Sequence, residues 1–248
     1  MIAIIGGRRM NKLAGLEVTH RQVVRTPYGE PSGSLIFGTI GTQEIVFLSR
    51  HGHGITIPPH AVNYRANIWA LYTLQVKTII AVTSVGGIRK DMEPGRIVIP
   101  DQIIDYTHGR EATFHNRSDT TITNTDFTQP YCPVTRACLL KAARDTGEPV
   151  IDGGVYAATQ GPRFETAAEI NRLERDGADI VGMTGMPEAI LARELGISYA
   201  TIAAIANHAA GKGESTQAIP LQAAHKILEN TMKNVRNILE QLVRNHDD

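Results

Sequence analysis

The sequence predicts a layered α/β fold in one domain, with a largely buried sheet flanked by helices. Three observations carry that expectation. Short apolar runs recur between turn residues, several of them apolar on both faces, as strands buried between two helix layers are. Helical patterns alternate with those runs, which implies a layered α/β architecture. No linker, low-complexity tract or internal repeat interrupts the 248 residues, so a single domain over residues 1–248 is expected rather than two small ones.

The elements follow in order. Strands are expected at residues 2–5, 44–48, 78–83, 96–99, 180–183 and 199–206, each a compact apolar run. Helical spacing marks residues 62–74, 135–144, 166–176 and 187–195. The last helix is the most regular: Leu221, Ala224, Ile227, Leu228, Val235, Ile238, Leu239 and Leu242 form one face, with Pro220 suited to its first turn. Ligands in such folds gather where strands end and loops begin.

Composition narrows the partners. Lysine plus arginine and aspartate plus glutamate both number 25, so the formal net charge is zero. That argues against a general nucleic-acid surface, which shows as a basic excess. Cys132 and Cys138 fit a reducing compartment without a disulfide framework, and neither has partners at metal-ligand spacing, so no metal is expected. The amino-terminal apolar run is too short for a signal-peptide core, and no run approaches the roughly 20 residues that span a bilayer. A cytoplasmic protein with small-molecule partners is the expectation, with no nucleic acid and no membrane.

Four strand ends carry chemistry. Arg50 and His51 follow the second run; arginine offers a fixed fork of donors suited to phosphate, and the histidine can add another. Thr83-Ser84-Val85-Gly86-Gly87 follows the third, two hydroxyls beside glycines that let backbone N–H groups approach an oxyanion. Met183-Thr184 precedes Pro187-Glu188, which places Thr184 near a helix start. Gly6-Gly7 ends the first strand. Taken alone, each segment reads equally as an ordinary surface loop or turn. Together they describe an anion site assembled from separated loops. Neither G-x-x-x-x-G-K-[ST] nor G-x-G-x-x-G occurs, so free phosphate is a simpler occupant than a nucleotide cofactor.

The segments Gly161-Pro162-Arg163-Phe164-Glu165-Thr166, Met183-Thr184-Gly185-Met186-Pro187-Glu188, Arg50-His51-Gly52 and Val62-Asn63-Tyr64-Arg65-Ala66-Asn67 carry a resemblance. In these, and over residues 2–242, the chain resembles the trimeric purine nucleoside phosphorylase and methylthioadenosine phosphorylase family. Within it the likeness is greatest to bacterial members that cleave S-methyl-5'-thioinosine. The resemblance implies the single-domain nucleoside phosphorylase fold, a central mixed β-sheet flanked by helices. It also implies a homotrimer, no cofactor, and inorganic phosphate as co-substrate attacking C1' of a purine ribonucleoside. By that resemblance Arg50, His51, Thr83, Ser84 and Thr184 contact phosphate, Met183 meets the ribose and Phe164 the purine ring. Glu165 and Asn207 read the purine edge, and Asn207, Glu165 and His51 carry the catalytic roles.

Physical chemistry then sharpens the substrate. A 6-oxopurine presents N1–H, which an ionised Glu165 accepts, whereas adenine presents a lone pair there and loses the bond. Adenine-preferring members of the family carry aspartates where Asn207 and Ala209 stand, so hypoxanthine or guanine nucleosides are favoured. Members acting on inosine place a histidine for the 5'-hydroxyl. The corresponding position falls at Ile219, apolar and suited to a methylthio group, although the same residue would equally pack the last helix. Two positions depart from the family. Arg8-Arg9 follows Gly6-Gly7 where a hydroxyl residue is expected, so Arg8 either binds phosphate as a cation or swings to solvent. Asn124 stands where relatives reach a neighbouring subunit with a histidine or aromatic ring. Competing readings are an inosine/guanosine phosphorylase, a methylthioadenosine phosphorylase, which Glu165 and Asn207 disfavour, and a nucleoside-binding protein whose phosphate site is impaired.

Overall fold

Ile2–Gly6, five buried residues in succession, form β1, and the absence of a polar face sets this strand between two layers. The computed structural model describes residues 1–7, 15–54, 56–115 and 124–245. After β1 come β2 (Glu17–Gln22), β3 (Leu35–Ile40), β4 (Gln43–Ser49), α1 (Tyr64–Thr73), β5 (Thr78–Gly87), β6 (Ile97–Ile99) and β7 (Gln102–Asp105). They are followed by α2 (Pro133–Thr146), β8 (Val150–Asp152), β9 (Val155–Ala158), α3 (Ala167–Arg175), β10 (Ile180–Gly182), α4 (Glu188–Glu194), β11 (Ser198–His208) and α5 (Leu221–Arg244). All the strands join one mixed sheet, ordered β2-β3-β4-β1-β5-β10-β9-β7, with β11 pairing β5 and β6, and β6 pairing β8.

The alternation along β1 and β5 shows how the layers are built. Ile2, Ile4, Ile80 and Val82 pack on one face with Leu139 of α2 and Val235, Ile238 and Leu239 of α5. Ala3, Ile5, Ile79 and Ala81 face the other way, onto Ile68 and Leu71 of α1 and Leu191 of α4. A third, smaller cluster joins Ile170 and Leu173 of α3 to Val181 and Ala209. Each α-helix expected from the sequence is present within a few residues. The amino-terminal end of α5 differs in its surroundings: Leu221 is exposed, because this turn borders a cavity instead of the core.

The strands missed by apolar patterning are β2, β3, β7, β8 and β9. Every residue of β2 is exposed, so its sequence carries no burial pattern to read. The opposite correction applies to Thr83–Gly87, expected as a glycine-rich turn but found as the second half of β5. Gly86 and Gly87 pair with Val181 and Ile180 of β10 on one flank and with Asn207 and His208 of β11 on the other. Gly87 is required because a Cβ there would lie 1.8 Å from the Met92 carbonyl oxygen. Gly87 thus serves close strand packing, while Gly86 lines the cavity.

The pairing along β5 positions the site. β1 holds residues 78–81 and β10 holds only Gly86 and Gly87, so the flank between them is open. At the same level β11 shifts register between Ile205 and Asn207, the kind of bulge that re-aims a side chain. Substituting Gly87→Ala forces the Met92 turn off the strand. The expected loss, read from denaturant unfolding, is about 1–3 kcal/mol, typical of overpacking.

Candidate active site

A cavity of about 530 Å³ opens where β1, β4, β5 and β11, mutually parallel neighbours, end, the place where α/β sheets gather ligands. Its walls include Arg50, His51, Thr83, Ser84, Phe164, Glu165, Met183, Thr184, Asn207 and Ile219. The fold therefore brings together ten positions separated by up to 169 residues in sequence, 219 − 50. Arg8 lies outside the described residues. Asn124 is exposed.

Arg50 is 2% exposed, and its bidentate edge is already engaged. Nε and Nη2 donate to the two Glu188 carboxylate oxygens at 2.7 and 2.8 Å, and Nη1 donates to the Val82 carbonyl at 3.0 Å. Val82 lies on the flank of β5 that β1 leaves open, so Arg50 caps that gap. The fork expected to face phosphate therefore faces Glu188, and one N–H on each terminal nitrogen remains. Burial opposes the arginine charge, but Glu188 overrides it and holds the pKa above its ordinary value. Glu188 also accepts from the Tyr199 hydroxyl at 2.9 Å.

His51 Nδ1 lies 2.9 Å from the Ile57 carbonyl oxygen. A carbonyl can only accept, so Nδ1 carries the hydrogen. Burial first, and then the Arg50 charge, lower the pKa of the ring below 6.5. At neutral pH the ring is the neutral Nδ1–H tautomer, and Nε2 presents a lone pair. In place of the donor expected from His51, the ring presents Nε2 as an acceptor. Thr83 and Thr184, 101 residues apart, bring their hydroxyl oxygens within 3.3 Å. The Thr184 amide donates to the Tyr156 hydroxyl at 3.3 Å, and α4 begins only at Glu188. Thr184 thus contributes its hydroxyl rather than a helix-start amide.

The purine-edge candidates are oriented by neighbours that sequence reasoning missed. Thr159 donates its hydroxyl to Glu165 Oε1 at 2.5 Å, leaving Oε2 for a ligand donor. Asn207 Nδ2 donates to the His208 carbonyl at 2.7 Å, so Oδ1 and the second amide hydrogen remain for a ligand. The loop bearing Phe164 and Glu165 is anchored at α3 by a capping box: Thr166 accepts from the Glu169 amide at 3.1 Å, and Glu169 from the Thr166 amide at 2.7 Å. Arg163 grips the same carboxylate, and with the Thr166 amide holds the Glu169 pKa down to about 2. Phe164 is 48% exposed at the cavity rim. Gly161, at φ +61°, lies against Met183; a Cβ there would meet Sδ at 2.6 Å.

Ile219 is joined on the cavity wall by Leu221, Ala224, His225, Leu228 and Met232. Leu221, Ala224 and Leu228 belong to the face expected from the sequence, whereas His225 and Met232 were not expected on it, although positions 221, 224, 225, 228 and 232 share one side of a helix. His225 is the one polar ring on it. Among the described residues, no group of three His, Cys, Asp or Glu side chains is placed to hold a metal ion, and no helix is long and apolar enough to cross a membrane.

On this α/β sheet, one cavity brings an aromatic ring, a carboxylate, an amide and several hydroxyls together. Residues 2–244 match the phosphorylase superfamily. A probable S-methyl-5'-thioinosine phosphorylase of Pseudomonas syringae pv. tomato is 47% identical over 241 residues, covering 97% of each chain. The 6-oxopurine nucleoside phosphorylase of Pyrococcus furiosus is 49% identical over 215 residues, covering 85% of this chain and 80% of its own. Among solved structures, a methylthioadenosine phosphorylase from an Antarctic soil metagenomic library superposes with a TM-score of 0.92 at 36% identity, covering 98% of this chain and 85% of that one. The Schistosoma mansoni methylthioadenosine phosphorylase in complex with adenine gives 0.91 at 33% identity, covering 98% and 90%. The chain belongs to the phosphorylase superfamily.

Two measurements test the electrostatics. Glu188→Gln keeps the shape but leaves Arg50 as a buried unpaired charge, and is expected to cost about 3–5 kcal/mol in unfolding free energy. The His51 ring is expected to titrate below 6.5, which NMR of the ring checks. Its contribution to stability is complete above pH 6.5 and is lost as pH falls through the folded pKa, because the unfolded ring binds its proton first.

Proposed function

We propose that this chain catalyses phosphate-dependent cleavage of S-methyl-5'-thioinosine to hypoxanthine and 5-methylthioribose 1-phosphate. The observation that carries the reading is one cavity holding Glu165 and Asn207, the Thr83–Thr184 hydroxyl pair with His51, and the apolar wall around Ile219. The names of the Pseudomonas and Pyrococcus relatives, both 6-oxopurine in kind, support it. The same reading takes the working unit as a cytoplasmic homotrimer without metal or organic cofactor.

The chemistry balances on these groups. A phosphate oxygen bonds to C1' as the C1'–N9 bond breaks, and the electron pair of that bond leaves on the purine. HPO₄²⁻ gives up its proton, which in the overall balance ends on the released hypoxanthine. Neutral His51 can accept the P–O–H hydrogen through Nε2, while Thr83, Ser84, Thr184 and the remaining Arg50 N–H groups donate to phosphate oxygens. Asn207 Oδ1 gains a partner only when N7 bears a proton, so that bond strengthens as the base departs. Glu165 Oε2 accepts N1–H. Phe164 covers the ring, and Met183 lies against the ribose. No covalent nucleophile is required; positioning and charge stabilisation suffice.

An inosine or guanosine phosphorylase is the second reading, favoured by His225, whose ring on the apolar wall is a partner for a 5'-hydroxyl. The deciding experiment compares methylthioinosine, inosine, guanosine and methylthioadenosine, each with and without phosphate. Methylthioinosine is expected to show the highest kcat/KM, with methylthioadenosine at least about 100-fold lower, as for a site built to bond a donor. Release without phosphate, or a preference for methylthioadenosine, overturns the proposal. Inosine equal to or ahead of methylthioinosine moves the assignment to the second reading.

A further inference from the structure

We infer that Arg110 is a positioning residue for this reaction, fixing the loop that carries Phe164 and Glu165 against the loop that carries Met183 and Thr184. The inference rests on the phosphorolysis proposed above and extends it to a side chain that does not line the cavity. Arg110 sits in the connection after β7, in a stretch without periodicity or motif.

Its guanidinium reaches both loops at once. Nε donates to the Gln160 side-chain oxygen at 3.2 Å, and Nη2 to the main-chain carbonyls of Gln160 and Thr159 at 2.8 and 3.2 Å. Nη1 donates to the carbonyls of Met186 and Met183 at 2.6 and 2.9 Å, with the Tyr64 hydroxyl at 3.2 Å sharing it. Five N–H groups thus meet six oxygens, all uncharged. The cation also lies over the Tyr64 ring, 5.4 Å from its centroid, inside the roughly 6 Å within which such contacts attract.

The partners are the residues that place the chemistry. Thr159 is the group that orients Glu165, and it also donates its amide to the Gly182 carbonyl at 2.8 Å. The Met183 and Met186 carbonyls bracket Thr184. Arg110 therefore sets the distance between the groups that read the base and those that meet the ribose and phosphate, across the bond that must break. Each loop has its own anchor: the capping box at α3 for one, the β10 pairing and the Arg50–Glu188 bond for the other. The β9–β10 pairing and the Thr159–Gly182 bond join the two loops at their bases; Arg110 adds the bonds that tie them farther out, at Gln160 on one and Met183 and Met186 on the other. Lysine, with three donors on one point charge, cannot span both sets of carbonyls.

The experiment compares full-length wild type with Arg110→Lys, Arg110→Met and Gln160→Met. It measures unfolding temperature, kcat, hypoxanthine and phosphate affinities by calorimetry, and recovery of Arg110→Met on adding guanidinium. A positioning role predicts folded variants that bind hypoxanthine and phosphate singly much as wild type does. Their kcat falls by about 100-fold in Arg110→Met, the scale of an ångström-level misplacement. Arg110→Lys does not restore it, guanidinium does so in part, and Gln160→Met moves kcat in the same direction by a smaller factor. A lower unfolding temperature with kcat per folded molecule unchanged overturns the inference, as does full kcat in Arg110→Lys. Should Arg110→Met fail to fold, an unchanged kcat in Gln160→Met overturns it alone. Wild-type protein that releases no purine base from any nucleoside counts instead against the phosphorolysis, which separates the two failures.

Discussion

The structure turns on the point where β1 stops short of β5. A strand that ends early leaves its neighbour with carbonyls that need donors, and Val82 is such a carbonyl. Arg50, one residue beyond β4, supplies the donor and carries a buried charge into the sheet. A buried guanidinium requires a carboxylate, which fixes Glu188 and so the start of α4. The loop before α4 then delivers Thr184 beside Thr83 and Met183 beside Gly161. One open flank in a sheet thus leads to the cavity and to the side chains around it.

Magnitudes separate what stabilises the fold from what shapes the site. Full burial of an isoleucine or leucine side chain contributes about 1.5–3 kcal/mol, and the two faces of β1, β4 and β5 bury many. An ion pair such as Arg50–Glu188 contributes little net stability, since desolvation offsets the attraction, yet breaking it is costly. Its place in the molecule is one of specification: it admits one arrangement of α4 against the sheet. The same holds for Thr159–Glu165 and Asn207–His208, each of which fixes one face of a polar group so that the other is left for a ligand.

Much of this was legible in the sequence. Strands apolar on both faces announced the buried sheet, and the segments around Arg50, Thr83, Phe164, Met183 and Asn207 all arrive at one cavity. Local patterning could not reveal partners distant in sequence. Glu188 stood out only as part of a motif, while its pairing with Arg50 spans 138 residues. Arg110 gave no signal, since its six partners are mostly main-chain oxygens, which any residue supplies. Gly86-Gly87 was misread because a glycine needed for close strand packing looks the same, in sequence, as one needed for a turn. β2 escaped notice because an exposed edge strand need not alternate.

The most direct test of the site is a crystal structure of the protein with hypoxanthine and phosphate bound. N1–H of the base is expected on Glu165, N7–H on Asn207 Oδ1, Phe164 over the ring, and phosphate against Thr83, Thr184 and His51 Nε2. Hypoxanthine turned with its N1 edge away from Glu165, or phosphate held without His51 and the two threonines, would contradict this arrangement.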